Sequence, residues 1–252
     1  MEQLDKEKSL VVIPLGALEQ HGNQAPLITD TLIASEMTRR ISNILSDKKD
    51  TLAGNVLFFP VIPIGYSVEH ASFCGSITFR PDTYYHVLAD IVTGLNSHGF
   101  KNFAFLICHG GNRAIAEVVS RQLRRDLGVK IYLITSGAFS SPKVKATLSH
   151  GNESDFHGGE METSMVMAID ESMVDLKSCK AGHYSLGSDK GKLNFFGSLS
   201  LPWMGEDFTA EDDTPIGIGG NPSGASAKKG EIILDESANE AANGIIELLT
   251  YL

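Results

Sequence analysis

The amino-acid sequence predicts an α/β fold: a three-layer α/β/α arrangement with a central, mostly parallel sheet. Two observations carry this. Residues 10–15 (LVVIPL) and 102–108 (NFAFLIC) are almost unbroken apolar runs, the pattern of strands covered on both faces rather than on one. Around them lie segments whose apolar residues recur at helical spacing. Strands and helices therefore alternate, as in a sheet with helices on both faces. With 252 residues and 42% hydrophobic composition the chain is long enough to bury a full core, though length alone would also allow two small domains.

The elements follow in order. After the first strand, Thr29 or Asp30 stands where a cap is favoured, ahead of a helix to about residue 45 with Leu32, Ile33, Met37, Ile41, Ile44 and Leu45 at helical spacing. Residues 56–64 are strand-like but interrupted by Pro60 and Pro63, which suit strand ends or edges. Residues 65–78 read as a loop feeding a short strand at 76–79, and Pro81 then opens a helix to about residue 97, ended by Gly99. Past the second apolar run, a glycine turn leads into a helix from about residue 114 to 127. Gly128 takes the position after it, where glycine is favoured. Residues 129–135 form a further strand and residues 160–169 a further helix. Residues 181–226 break the pattern, being glycine-rich with Pro202 and Trp203 and without a sustained period. A segment of that length suits a lid, an excursion from the sheet or an oligomer contact better than a simple connection. An amphipathic helix over residues 227–252 closes the chain.

Composition excludes some function classes. A formal net charge of -10 argues against nucleic acid or an anionic membrane as partner, since both reward a basic surface. Residues 1–8 are charged and lack the apolar stretch of a secretory signal, and no apolar run approaches the ~20 residues needed to span a bilayer. Cys74, Cys108 and Cys179 are widely spaced and form no CxxC pair, which suits a reducing compartment; the expected location is the cytoplasm.

Chemistry-bearing residues gather where strands end and helices begin. Glu19 and His21 follow the first strand, and in extended backbone residues two apart point to the same side. Asp30 sits at the expected helix start, and His109 at the carboxyl end of the 102–108 strand. Open α/β sheets place their ligand sites along that edge. His157 and Glu162 flank the start of the 160–169 helix. Each has a local explanation as well: Asp is favoured as a helix cap, and acidic groups are stabilised at helix N-termini whatever their function. Their joint occurrence points elsewhere. Three carboxylates and two imidazoles can hold a pair of divalent ions, a third imidazole can carry protons, and a paired-metal site that activates water is the apparatus of a hydrolase.

The segments LGALEQHG (15–22), TDT (29–31), HGGN (109–112) and HGGEMETS (157–164) resemble the creatininase (creatinine amidohydrolase) family, in the right order over about residues 10–170. Residues 217–230 resemble the family's closing segment. The resemblance implies a single domain over residues 1–252 and a two-metal amidohydrolase. By it, Glu19, Asp30 and His109 would bind one ion and His21, Asp30 and Glu162 the other, with Asp30 bridging and His157 carrying the proton. Glu160 falls at a position that varies in the family. Such a mixed oxygen and nitrogen donor set suits Zn²⁺ or Mn²⁺, with Fe²⁺ also admitted. The reaction implied is hydrolysis of a non-peptide C–N bond in a small-molecule amide. The implied assembly is a homo-oligomer, a hexamer in the family's manner.

Departures from the family bear on the substrate. Where creatininases carry tyrosine and glutamate after the strand-end histidine, this chain has Gly110 and Gly111. Tryptophans near the last motif are missing too: Trp203 is well downstream, and Phe156 is the nearest aromatic. Creatinine is therefore expected to be a poor substrate, and the formamide groups and modified peptides taken by relatives stay open. Glu69 and His70 suit a pocket wall or a subunit contact near the metals, or else a hydrogen-bonded loop. A non-catalytic metal-binding member is an alternative, disfavoured by the intact ligand set with His157. A flavodoxin-like module holding phosphate near Cys108 is another, disfavoured because no G-x-G-x-x-G or Walker pattern follows a strand.

Overall fold

The computed structural model describes residues 4–48, 55–135, 141–149, 155–185 and 198–252. Four parallel strands, β1 (Leu10–Leu15), β2 (Val56–Phe58), β3 (Asn102–Ile107) and β4 (Lys130–Thr135), pair in the order β2–β1–β3–β4. The two apolar runs are the central strands, and every residue of β1 and β3 is buried. Helices α1 (Thr29–Asp47), α2 (Pro81–Ser97), α3 (Asn112–Leu127), α4 (Pro142–Thr147), α5 (Glu160–Asp170) and α6 (Ala227–Leu249) cover the sheet.

Side-chain alternation along the strands sorts the core into two halves. Leu10 and Val12 of β1 with Ala104 and Leu106 of β3 meet Ile33 and Met37 of α1, Met161 and Met165 of α5, and Leu234 and Ile245 of α6. Val11 and Ile13 with Phe103 and Phe105 face the other way, onto Leu88 and Val92 of α2 and Val119 and Leu123 of α3. The result is the expected three-layer α/β/α sandwich. Because α1 and α2 lie on opposite faces, the winding reverses between β1 and β3. In such sheets the crevice beyond the strands' carboxyl ends at the reversal is where ligands bind.

Several local expectations are corrected. Neither Thr29 nor Asp30 caps α1: Ile28 holds that position without a side-chain bond, and Thr29 Oγ1 donates back to Pro26 O at 2.7 Å. Asp30 lies inside the first turn, so its carboxylate is left for other contacts. β2 stops at Phe58, short of the two prolines, and Ile62 rejoins β1 through one bridge to Leu15. The strand expected at 76–79 does not form; Ile77 makes a single antiparallel bridge to Leu18. α3 starts at Asn112, the glycine turn running straight into the helix, and Gly128 ends it in the left-handed conformation (φ 66°). In the irregular segment, β5 (His183–Tyr184) and β6 (Phe208–Thr209) form a two-stranded antiparallel ribbon, while residues 186–197 lie outside the described residues.

Candidate metal centre

The ends of β1 and β3 are drawn together by contacts that sequence periodicity does not report. Gly16, just past β1, touches the first turn of α1: a Cβ there would stand 2.6 Å from Thr31 Oγ1 and 2.8 Å from Thr31 Cα. Thr31 Oγ1 donates to Ala17 O at 3.0 Å, so the turn that carries Asp30 is held against the segment that carries Glu19 and His21. Asn112, at the start of α3, ties three segments. Its Nδ2 donates to Gly16 O at 2.9 Å, and its Oδ1 accepts from Tyr66 N at 2.9 Å. Gly111 leaves no room beside His109, since a Cβ would lie 2.4 Å from Glu69 Oε1 and 2.5 Å from both His109 Nε2 and Tyr66 O. The loop before α5 is pinned by the irregular segment. His157 N donates to Gly219 O at 3.2 Å, and Gly219 N donates to His157 O at 2.9 Å.

These ties bring all six candidate residues into one cluster. Asp30 Oδ1 is 3.7 Å from His21 Nε2, which is 3.6 Å from Glu162 Oε2. Asp30 Oδ2 is 3.7 Å from His109 Nδ1, which is 3.2 Å from Glu19 Oε1. Asp30 thus offers one oxygen to each of two trios. His157 Nδ1 is 3.6 Å from Glu19 Oε1.

The donor atoms fit divalent cations. Glu19 Oε1 and Oε2, His21 Nε2 and Asp30 Oδ2 are buried without a hydrogen-bond partner; the Glu19–His109 contact is short but not aligned as a hydrogen bond. Each such orphan costs about 1–3 kcal/mol, and a cation among them would satisfy several at once. The rings are also turned for coordination. His21 Nδ1 donates to Glu19 O at 3.1 Å and His109 Nε2 donates to Tyr66 O at 3.0 Å, which turns the other nitrogen of each, His21 Nε2 and His109 Nδ1, to the carboxylate side.

Charge points the same way. Burial, then Glu19 and Glu162, raise Asp30 well above the usual carboxylate range, and burial raises Glu162 as well. For Glu19 burial also pushes upward, but His109, His157 and His70 together outweigh it and hold the group well below its ordinary value. His109 is pushed up to about 10, burial being overcome by Glu19, Asp30 and Glu69. His157 is lowered to about 4, first by burial and then by His21. Crowded buried carboxylates of this kind are stabilised by added positive charge.

Four further residues join the site. Glu69 Oε1 is 3.5 Å from His109 Nε2, and His70 stacks on His157 with ring centroids 3.9 Å apart. Gln20 Nε2 is 3.0 Å from His70 Nδ1. Their signal was present in the sequence, since Gln20 lies inside a quoted motif and Glu69–His70 are an adjacent pair of chemistry-bearing residues. Trp203, well downstream of the last motif in sequence, is brought to the site by the fold: its ring lies 5.4 Å from that of His70 and 6.5 Å from that of His157. Phe156 instead packs edge-on against Phe208. Glu160 is engaged elsewhere, accepting from Ser149 N at 2.9 Å and pairing with Lys229.

Comparison with known proteins adds four findings. The profile of the family named Creatininase, described as creatinine amidohydrolase, matches residues 1–245. A mycofactocin precursor peptide peptidase of Mycobacterium ulcerans (strain Agy99) is 28% identical over 247 residues, covering 96% of this chain and 87% of that protein. Among solved structures, a candidate creatinine amidohydrolase from Bacteroides fragilis NCTC 9343 superposes with a TM-score of 0.80 at 24% identity, over 99% of this chain and 92% of that one. A manganese form of creatininase superposes with a TM-score of 0.74 at 23% identity, over 96% and 91%.

Proposed function

The chain belongs to the creatininase family, and from that premise we propose that it hydrolyses a small amide at a two-metal centre. Glu19, Asp30 and His109 would hold one ion, and His21, Asp30 and Glu162 the other. The observation that carries this reading is the position of Asp30, with one oxygen toward each imidazole at 3.7 Å. Bound there, Zn²⁺ or Mn²⁺ would lower the pKa of a water and polarise the amide carbonyl.

The chain's own residues do the rest. His157 commits its Nε2–H to Gln20 O at 2.7 Å, which leaves Nδ1 to take a proton and pass it to the departing nitrogen. The charge it then carries is held between Gln20 O and the Glu19 carboxylate. Trp203 offers an apolar face beside His70 and His157, while Gly110 and Gly111 present no side chain where family members carry larger groups. This favours an amide other than creatinine.

A second reading, trimming of a peptide end, is favoured by the similarity to the mycobacterial peptidase over 96% of the chain. Screening the metal-loaded protein against creatinine, other cyclic amides, formamides and N-terminal peptides separates the two, with Glu162→Gln as the control that should be inactive. Two ions per chain without turnover of any amide would sink the catalytic reading.

The proposal extends to a single-domain chain assembled as a homo-oligomer in the cytoplasm. Cys74, Cys108 and Cys179 are free thiols, and no helix among the described residues is long and apolar enough to cross a membrane. Light scattering and cell fractionation test assembly and location.

A further inference from the structure

Four imidazoles line the cluster, and three follow a rule that the fourth breaks. His21, His109 and His157 each give an N–H to a backbone carbonyl and turn the other nitrogen inward. His70 is oriented by a side chain instead. Gln20 Oε1 accepts from Gly22 N at 2.9 Å and Gln20 Nε2 donates to Gly217 O at 2.7 Å, so both ends of the amide are set by backbone. The second Nε2 hydrogen of Gln20 then goes to His70 Nδ1, 3.0 Å away, which makes Nδ1 an acceptor. A neutral ring that accepts at Nδ1 carries its proton on Nε2. The approach of Gln20 Nε2 to His157 Nε2 at 3.2 Å is no competing bond, because that histidine nitrogen already donates to Gln20 O.

His70 therefore presents an N–H to a cluster of acceptors. Its Nε2 is buried without a hydrogen-bond partner, and it faces Glu19 Oε1 at 3.7 Å, an atom that also lacks one. The ring has little freedom to turn away, stacked on His157 on one side and against Trp203 on another. A protonated ring nitrogen does not coordinate a cation. His70 thus falls outside the ligand set although its Nε2 lies 3.7 Å from Glu19 Oε1, against 3.2 Å for His109 Nδ1.

We propose that His70 is a positioning residue for Glu19: an N–H whose tautomer Gln20 sets and which, 3.7 Å from the carboxylate here, closes to a hydrogen bond when Glu19 takes up its cation, tuning how tightly the Glu19, Asp30 and His109 trio holds it. The proposal rests on reading Glu19 as a metal ligand. Hydrogen-bond partners of ligating groups typically contribute 10–100-fold in affinity. Gln20 follows Glu19 directly in the chain, so one stretch of backbone carries both the ligand and the group that orients its donor.

The test uses the full chain and the metals alone. Zn²⁺ and Mn²⁺ affinities are measured by chelator competition for wild type, His70→Leu and His70→Gln. In parallel, ¹⁵N spectra are recorded on the histidine-labelled, Zn²⁺-loaded wild type, with the His70 signals identified by their loss in His70→Gln. We expect about 10–100-fold weaker binding at one of the two sites in His70→Leu. We also expect substantial recovery in His70→Gln, whose amide N–H reaches the region of Nε2, and a His70 ring protonated at Nε2 and not at Nδ1. A folded His70→Leu variant with wild-type affinity would overturn the proposal. So would a His70 ring protonated at Nδ1, which would make it a ligand. Should His70→Leu not fold, the His70→Gln affinities and the ¹⁵N pattern decide. Wild-type protein that takes up no cation would sink the metal reading itself, an outcome distinct from normal uptake that is indifferent to His70.

Discussion

Replacing Asp30 by Asn should have opposite effects on the metal-loaded and metal-free protein. Asp30→Asn keeps the shape and removes the charge. Asp30 is the carboxylate that approaches both His21 and His109, so its loss strikes both trios, while Glu19→Gln and His21→Ala each leave one untouched. Loss of a ligand should exceed the 10–100-fold typical of an outer partner, at both ions together. Elemental analysis should therefore show a fall toward zero for Asp30→Asn and toward one ion for the other two variants. Without metal the sign reverses. Burial, Glu19 and Glu162 raise the folded pKa of Asp30. A carboxylate raised in this way opposes folding once pH exceeds its unfolded value near 4, and increasingly so until pH reaches the folded value. In chelator at pH 7 the variant should thus match or exceed wild type, by about 2–4 °C in Tm for each ~1 kcal/mol relieved, with the advantage vanishing below about pH 4. With cation at ~100 times Kd, wild type gains about 2.7 kcal/mol per ion, or roughly 5–11 °C, and the variant does not. Thermal melts in chelator and in Zn²⁺ read both effects. Loss of a single ion from Asp30→Asn, or a lower Tm in both conditions, would refute the reasoning.

Three other substitutions separate the roles of neighbouring groups. His157→Ala should keep both ions and lose about 10²–10⁴ in turnover, because its Nδ1 moves a proton; a parallel loss of metal by elemental analysis would make it a ligand. Gly111→Ala puts a Cβ within 2.5 Å of His109 Nε2 and Tyr66 O and should cost about 1–3 kcal/mol together with weaker cation binding. An unchanged Tm and metal content would contradict that packing. Trp203→Ala should lower kcat/KM for the best amide about 10–200-fold at constant metal content, and an unchanged value would remove Trp203 from the site.

Legibility in this chain follows the range of the interactions involved. The runs at 10–15 and 102–108 announced central strands because burial on both faces excludes polar residues from the whole segment. The helices between them showed their apolar spacing, and the alternation of the two implied the parallel sheet. Glu19, His21, Asp30, His109, His157 and Glu162 stood out because each is a metal-ligating type beside a strand end or a helix start. Local pattern failed where a neighbour in space intervened. Residues 76–79 have strand composition, yet only Ile77 finds a partner, and β2 stops before the prolines that cannot continue its ladder. Asp30 looked like a cap until Gly16 and Thr31 drew the first turn of α1 against the end of β1 and aimed its carboxylate at the histidines.

The sequence by itself determined the layers, the strand edge that bears the site and the chemical type of its donors, since those depend on burial and backbone period within one segment. Only the tertiary structure decided that Asp30 divides its oxygens between two imidazoles, that Trp203 stands beside His157, and that His70 Nε2 faces Glu19 while its Nδ1 meets the Gln20 amide. Each of these depends on which distant segments touch. The irregular segment returns to pair Gly219 with His157, and Gly217 O holds the Gln20 amide nitrogen beside His70 Nδ1. Such contacts leave no period in the chain, because a hydrogen bond between residues nearly two hundred positions apart asks only for the right atom at the right place.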